Sequence, residues 1–169
     1  MKSINSVRQL VNLHKTLLKH EPANHGLRQE PILVGNSETL SFEKIPSALK
    51  DLFDWLKSEN HKLYPPELAF RFYYRFERIH PFKDGNGRIG RLWMNAILKE
   101  YRYHPIIIWD SNRQAHMNAF EKAMDGGMHK YLIFMAEQME KTYDIYISKI
   151  EKAKEIERSI KETFFTPSQ

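Results

Sequence analysis

Twelve consecutive residues, His80 to Arg91, read His-Pro-Phe-Lys-Asp-Gly-Asn-Gly-Arg-Ile-Gly-Arg and carry the densest set of reactive groups in the 169-residue chain. Each has a chemistry suited to phosphate. His80 titrates near neutrality and is fit to serve as a general base. Asp84 is a hard oxygen ligand of the kind Mg²⁺ takes alongside substrate phosphates. Gly85, Gly87 and Gly90 permit tight, positive-φ turns and leave backbone N–H groups uncovered. Helical periodicity resumes at once, with Ile89, Leu92, Trp93, Ala96 and Ile97 at i, i+3, i+4, i+7 and i+8. The glycine loop therefore feeds a helix N-terminus, where free N–H groups and the helix dipole favour an anion. Arg88 and Arg91, three apart on the first turn, are placed to grip phosphate oxygens. Base, metal ligand and phosphate cradle in one loop predict chemistry on a nucleoside triphosphate. A plain connector between two helices needs neither the histidine, the aspartate nor the paired arginines.

The elements that must hold this loop are mostly helical. Upstream, Tyr64-Pro65-Pro66 opens a helix in which Ala69, Phe72, Tyr73, Phe76 and Ile79 recur at helical spacing. Arg71, Arg75 and Arg78 share its other side and read as a solvated face. Pro81 drives His80 out of the right-handed helical region, so the helix stops with the imidazole at its C-terminal end. Phe82 reads as an anchor pinning the loop to the core. Residues 4–19 predict an amphipathic helix capped by Ser3, with Val7, Leu10, Val11, His14, Leu17 and Leu18 on its apolar stripe. His14 is expected to be a packing residue there. Pro22, Asn24 and Gly26 break the chain, and Ile32 to Val34 ending at Gly35-Asn36 predicts a short β-hairpin. Pro31 removes one N–H from its ladder. Pro46 opens a further helix whose buried stripe is Leu49, Leu52, Phe53 and Leu56.

Beyond the loop helix, Ile106 to Trp109 reads as a buried extended segment. Asp110, Ser111 and Asn112 offer N-caps for a helix through Met124 with Met117, Phe120 and Met124 on one face, ending at Asp125-Gly126-Gly127. A long helix follows from about Met128. Its stripe is Tyr131, Leu132, Met135, Met139, Tyr143, Tyr146, Ile147 and Ile150, and its charged end, from Lys149, predicts a solvated extension with a Glu157–Lys161 pair. The tail from Phe164 is expected to fray.

Composition sets the bounds. The length fits one domain, with 41% hydrophobic residues for a core. No cysteine is present, which excludes disulfides and thiolate metal sites and suits a cytoplasmic location. No apolar run approaches the ~18 residues of a membrane span. The net charge of +5 reads mainly as solubility.

The loop resembles the signature of the Fic family, His-Pro-Phe-x-Asp-Gly-Asn-Gly-Arg-x-x-Arg, at every fixed position: His80, Pro81, Phe82, Asp84, Gly85, Asn86, Gly87, Arg88 and Arg91. The resemblance implies an all-α, compact helical bundle with a short β-hairpin flap over the active-site loop. It implies one domain over residues 1–169, with a core at about 4–147 and a charged extension at about 148–169. Fic proteins mostly transfer AMP from ATP to a Ser, Thr or Tyr hydroxyl of another protein and release pyrophosphate. By that resemblance His80 is the base and Asp84 holds Mg²⁺. The backbone of Gly85, Asn86 and Gly87, with the Asn86 amide, binds phosphate oxygens. Arg88 pairs near the β-phosphate and Arg91 with the γ-phosphate. Gly26, Arg28 and Ile32, Leu33 and Val34 are similar to the family flap, which holds a target peptide by β-augmentation.

Departures from the family pattern carry consequences. The positions aligned with the adenine-packing Tyr and Asn fall around His116, Met117 and Met124, which implies a more apolar base pocket and leaves nucleotide preference open. The inhibitory pattern Ser/Thr-x-x-x-Glu-Gly/Asn is not matched, since Thr39 to Glu43 is followed by Lys44 beside the flap. Control is then expected from a separate inhibitory protein or a longer form of the chain, unless the chain is active as it stands. The partners implied are ATP and a target protein at the flap, with homo-oligomerisation compatible with the reading and neither membrane nor nucleic acid favoured. Two alternatives remain: transfer of UMP, phosphocholine or phosphate on the same fold, and a non-catalytic nucleotide- or nucleic-acid-binding module.

Overall fold

A computed structural model describes residues 6–21, 25–34 and 37–165, and its regular structure is helical apart from one two-residue ladder. The chain divides into two compact units, Met1–Pro105 and Ile106–Gln169.

The first unit holds α1 (Val7–Leu17), β1 (Leu33–Val34), β2 (Ser37–Glu38), a 3₁₀ turn (Phe42–Lys44), α2 (Ile45–Glu59), α3 (Pro65–Ile79) and α4 (Asn86–Glu100). Helix α1 begins later than its periodicity predicts, because Ser6 is extended and its hydroxyl accepts the Gln9 N–H at 3.4 Å. Ser3 lies outside the described residues. Leu10, His14 and Leu18 are buried on one stripe. Pro46 sits in the first turn of α2, and Pro65 and Pro66 open α3, where a missing N–H costs nothing. Leu49, Leu52 and Phe53 of α2 are buried as their spacing predicts, while Leu56 is half-buried. The core gathers on Trp93 of α4, whose ring lies 5.3 Å from Phe53, 4.7 Å from Phe72 and 6.2 Å from Phe76.

Helices α3 and α4 pack closely where they approach the loop. A Cβ on Gly90 would lie 2.8 Å from the Tyr73 ring and 2.9 Å from Glu77 Oε1, so only glycine allows this approach. The arginine face of α3 departs from a uniformly solvated one. Arg75 lies over the Trp55 ring at 4.4 Å and Arg71 pairs with Glu67 at 2.7 Å, while Arg78 is exposed.

The ladder is minimal, pairing Leu33 with Glu38 and Val34 with Ser37 in antiparallel register. One further bond extends it, from the Thr39 N–H to the Ile32 carbonyl at 3.4 Å. The turn signal at Gly35-Asn36 lies outside the described residues.

The second unit contains a 3₁₀ turn (Asp110–Asn112), α5 (Arg113–Met124) and α6 (Met128–Phe165). Its entry corrects the expectation of a buried extended run. Only Ile106 is buried, Ile107 is exposed, and the Ile107 N–H is satisfied by the Thr142 hydroxyl at 3.1 Å instead of by a strand. Helix α5 buries Ala119 and Ala123, not Met124, which is exposed. Small residues on that face let the helix approach α6 with little side chain between them. Gly126 ends α5 at φ +87°, as the C′ glycine pattern predicts. Along α6, Tyr131, Phe134, Met135, Gln138 and Thr142 are buried. The apolar stripe expected to continue to Ile150 stops short, since Ile147 and Ile150 are more than half exposed. The Glu157–Lys161 pair forms at 2.7 Å on the solvated extension. Among the described residues no helix is long and apolar enough to cross a membrane.

Candidate active site

His80 ends α3 in the left-handed region, with φ 47° and ψ 62°. A non-glycine residue there costs roughly 1–2 kcal/mol, so its surroundings must hold it. They do so from three directions. Its N–H donates to the Phe76 carbonyl at 3.1 Å. Its carbonyl accepts from Arg28 Nε at 2.8 Å. Its Nδ1 lies 3.3 Å from the Glu77 carbonyl, which as an acceptor requires the proton on Nδ1 and leaves Nε2 basic. Burial holds the imidazole below its ordinary titration range, and the Arg28 charge adds to this while the bond to Glu77 opposes it.

The loop after His80 is clamped from within. Phe82 is fully buried, and its N–H and carbonyl are both bound by the Asn86 side chain, at 2.9 Å and 2.8 Å. The Asn86 side chain is buried, with its oxygen and one amide N–H engaged by the loop backbone, which adds a clamping role to the phosphate role expected of it. Behind Phe82, His14 of α1 stacks at 3.8 Å between centroids with planes 7° apart. His14 Nε2 also donates to the Asp84 carbonyl at 2.9 Å. The packing role read for His14 thus becomes a loop-positioning one.

Gly85 caps α4 with φ +82°, and its N–H donates to its neighbour's carboxylate, Asp84 Oδ1, at 2.6 Å. Asn86 and Gly87 follow in the first turn, where N–H groups have no intrahelical acceptor. Arg88 bonds Asp84 Oδ2 at 2.8 Å, with both side chains about half exposed. Arg91 folds back along its own helix. Its Nη1 would lie 3.0 Å from a Cβ at Gly87, and its guanidinium is hydrogen-bonded to Tyr73. Glycine at 87 therefore leaves room for that guanidinium. The first turn of α4 thus brings two cations and two helix N–H groups to one place.

The donor set bears on Mg²⁺. Among the described residues no group of three His, Cys, Asp or Glu side chains could hold a metal alone. Asp84 supplies one exposed carboxylate at the anion-binding turn. That is the protein share of a Mg²⁺ ion that takes its remaining ligands from phosphate and water, so the residues fit such an ion.

Arg28, expected on the peptide-holding flap, faces the other way. It is 5% exposed, and its guanidinium donates to the His80 and Glu30 carbonyls, at 2.8 and 2.9 Å, and to the Leu40 carbonyl. Its own N–H donates to the Pro81 carbonyl at 2.9 Å. It ties both limbs of the hairpin to the loop. Lys83 and Glu30 add an exposed pair at 2.9 Å. Of the other hairpin residues, Leu33 is 66% exposed and Ile32 half-buried, and Val34 takes part in the ladder.

Spacing alone gave little notice of Glu77. It sits one turn before His80 on α3, with Oε2 3.7 Å from His80 Nδ1 and Oε1 buried without a hydrogen-bond partner among the described residues. Burial pushes its carboxyl up to about 7, and Arg91 works against this. The sole signal was a carboxylate three residues ahead of the candidate base. His116, near the expected base pocket, lies in the second unit with its ring stacked on Phe134 at 5.6 Å.

The chain is similar to known proteins over most of its length. The model of the Fic/DOC family matches residues 5–98. A protein adenylyltransferase Fic of Drosophila willistoni is 32% identical over 145 residues, which is 84% of this chain and 29% of that protein. The structure of Fic-1 from C. elegans aligns with TM-score 0.79 and 26% identity, over 89% of this chain and 45% of that one. A Fic family protein from Desulfovibrio desulfuricans aligns with TM-score 0.75 and 25% identity, over 86% and 48%. The chain spans less than a third of the length of the curated relatives it matches. Because the family match covers more than half of the chain and runs through the whole of the loop, this chain belongs to the Fic/DOC family.

Proposed function

We propose that the chain is a protein adenylyltransferase, moving AMP from Mg·ATP to a Ser, Thr or Tyr hydroxyl of a target protein. The observation that carries this reading is the pairing of an Nδ1-protonated His80 with the anion-binding first turn of α4. The 31–32% identical relatives named protein adenylyltransferase support it. Residues 1–169 are read as one Fic-like domain with a charged helical extension from about residue 148.

In this mechanism the target hydroxyl oxygen attacks the α-phosphorus. Its proton passes to His80 Nε2, a P–O bond to the target forms, and the bond from the α-phosphorus to the bridging oxygen breaks, so that pyrophosphate leaves. The N–H groups of Asn86 and Gly87 face phosphate oxygens, with Gly85 shaping the turn. Arg88 and Arg91 neutralise the β- and γ-phosphates. Asp84 would hold Mg²⁺, which when bound offsets charge on the phosphates. The hairpin, through Ile32, Leu33 and Val34, acts as a flap that aligns the target backbone by strand addition, with Arg28 as its base. ATP and a target protein are the partners, and a separate inhibitory protein that denies Arg91 to ATP would control the site.

Incubating the purified chain with α-³²P-labelled ATP, UTP or GTP, alone and with a cell lysate, tests this reading. Labelled protein from ATP in wild type but not in His80→Ala is expected. Transfer from UTP instead would make the group UMP. Salt-sensitive nucleic-acid binding without any transfer would favour a binding module.

A further inference from the structure

His80 Nδ1 is approached by two oxygens of one residue. The Glu77 carbonyl lies at 3.3 Å and the Glu77 carboxylate Oε2 at 3.7 Å. The carbonyl is there because α3 ends at Ile79, so the carbonyls of its last turn have no helical N–H to meet. The carboxylate is there because Glu77 is held between helices. Its other oxygen would meet a Cβ on Gly90 at 2.9 Å, so α4 lies directly against it.

A carboxylate with one oxygen fully buried in this position calls for a reason. Its Oε1 has no hydrogen-bond partner among the described residues, and a buried unpaired acceptor is unfavourable. A purely structural side chain at this point of α3 would be better made apolar. The carboxylate is placed, however, beside a base that becomes a cation during proton transfer.

From this geometry we infer that Glu77 is a positioning residue for His80, holding Nδ1–H through its carbonyl and balancing the imidazolium through its carboxylate. The inference rests on the adenylyl-transfer reading, in which Nε2 receives the hydroxyl proton. Proton transfer then creates an ion pair with Glu77 instead of an isolated half-buried cation.

The surrounding charges agree. Tyr73 and His80 face Glu77 from its own helix, and Arg91 approaches from α4. Arg28, from the hairpin segment, acts on His80 from the other side and opposes its protonation. Arg91 acts on the Glu77 carboxyl and draws it back down, which favours its ionised form beside His80. Burial pushes the Tyr73 hydroxyl well above its ordinary range, so it stays neutral and adds no competing anion. Burial raises the Glu77 carboxyl to about 7 and lowers the imidazole, so Glu77 takes up its proton first as pH falls, and the ion pair needs Glu77 ionised.

The test compares wild type, Glu77→Gln and Glu77→Asp. Side-chain ¹⁵N NMR of His80 across pH reads tautomer and titration without requiring activity. Wild type is expected to show the Nδ1–H tautomer when neutral. Wild-type His80 resonances should show a step near 7 from the neighbouring carboxyl, and Glu77→Gln should lose that step, because the titrating anion is gone. In transfer assays kcat should fall about 10- to 100-fold at pH 8, KM for ATP should stay within about twofold, and the acid limb should move below its wild-type position near 7. Glu77→Asp should recover part of kcat. A neutral Nε2–H tautomer in wild type, or His80 titrations that superimpose in wild type and Glu77→Gln, overturns the inference. The wild-type tautomer decides even if the variants fold poorly. An Nδ1–H tautomer with the carboxyl step but no AMP transfer in wild type would instead reject the adenylyl-transfer reading.

Discussion

The loop from His80 to Arg91 and the hairpin segment from His25 to Leu40 meet at the His80 carbonyl, where Arg28 donates to it. They are held by opposite means. In the loop, Phe82 is fully buried, stacked on His14 and bound at both backbone polar groups by Asn86, while Glu77 and Arg28 brace His80. Removing the Asn86 or Arg28 side chain leaves a backbone group of the loop without its partner. In the hairpin, two residue pairs form the ladder, Leu33 is solvent-facing, and the ties to the loop are the Arg28 guanidinium, the Arg28 N–H on the Pro81 carbonyl and an exposed Lys83–Glu30 pair. An exposed pair of that kind contributes about 0–1 kcal/mol. The difference fits the two tasks. Chemistry on a phosphorus needs reacting atoms held within fractions of an ångström. Recognition of a peptide by main-chain bonds needs an edge that adapts to its side chains.

The contrast can be broken at four points. The largest effect belongs to His80→Ala. Transfer should fall by ~10² to 10⁴, with thermal melting and nucleotide binding near wild type, because the base is removed while the backbone bonds to Phe76 and Arg28 remain. Undiminished α-³²P labelling of targets by this variant would falsify the loop as the seat of chemistry. Next comes Asn86→Ala, which strands the buried N–H and carbonyl of Phe82. Urea unfolding should register a loss of about 2–4 kcal/mol, and activity should go with it. A midpoint equal to wild type would mean that the clamp does not hold the loop.

A smaller effect sharpens the comparison through pH. The folded Glu77 titrates at about 7 against about 4.5 in the unfolded chain, so between those values the folded state binds the extra proton. Stability from this group is complete below about 4.5 and declines as pH rises through 7. The decline is on the order of 3 kcal/mol. Glu77→Gln should remove that slope and be the more stable protein at pH 8, measured by denaturant titration across pH. Parallel stability profiles would show that Glu77 is not held in an unfavourable charged state. The smallest effect belongs to the hairpin. Leu33→Ser should change stability by less than about 0.5 kcal/mol and leave kcat alone, while KM for a protein target rises. A substantial drop in melting temperature would show that the hairpin is as tightly built as the loop.

Much of this was legible from residue order because its physics is local. The end of α3 at His80, the glycine turn into α4 and the Gly126 stop of α5 each follow from one residue's backbone preferences. The apolar periods of α2 and α3 likewise predict their buried faces. Periodicity failed where length outran packing. The stripe of α6 continues on paper to Ile150, but burial stops near Thr142, because a stripe becomes a core only where another element covers it.

What only the tertiary structure decided is how the loop is held and how its base is oriented. His14 lies seventy positions from the Asp84 carbonyl it binds, and Arg28 fifty-two from His80. No spacing rule reaches across such separations. The Asn86 amide has the right chemistry for phosphate, and packing against Phe82 also made it the clamp of the loop backbone. Glu77 is one turn from His80 in sequence, yet only the close packing of Gly90 and Tyr73 makes it a buried carboxylate. Residue types and local spacing set which reactions the chain has groups for. The three-dimensional packing set which of those groups are desolvated, and in a protein interior desolvation determines whether a polar group is free to act or bound in place.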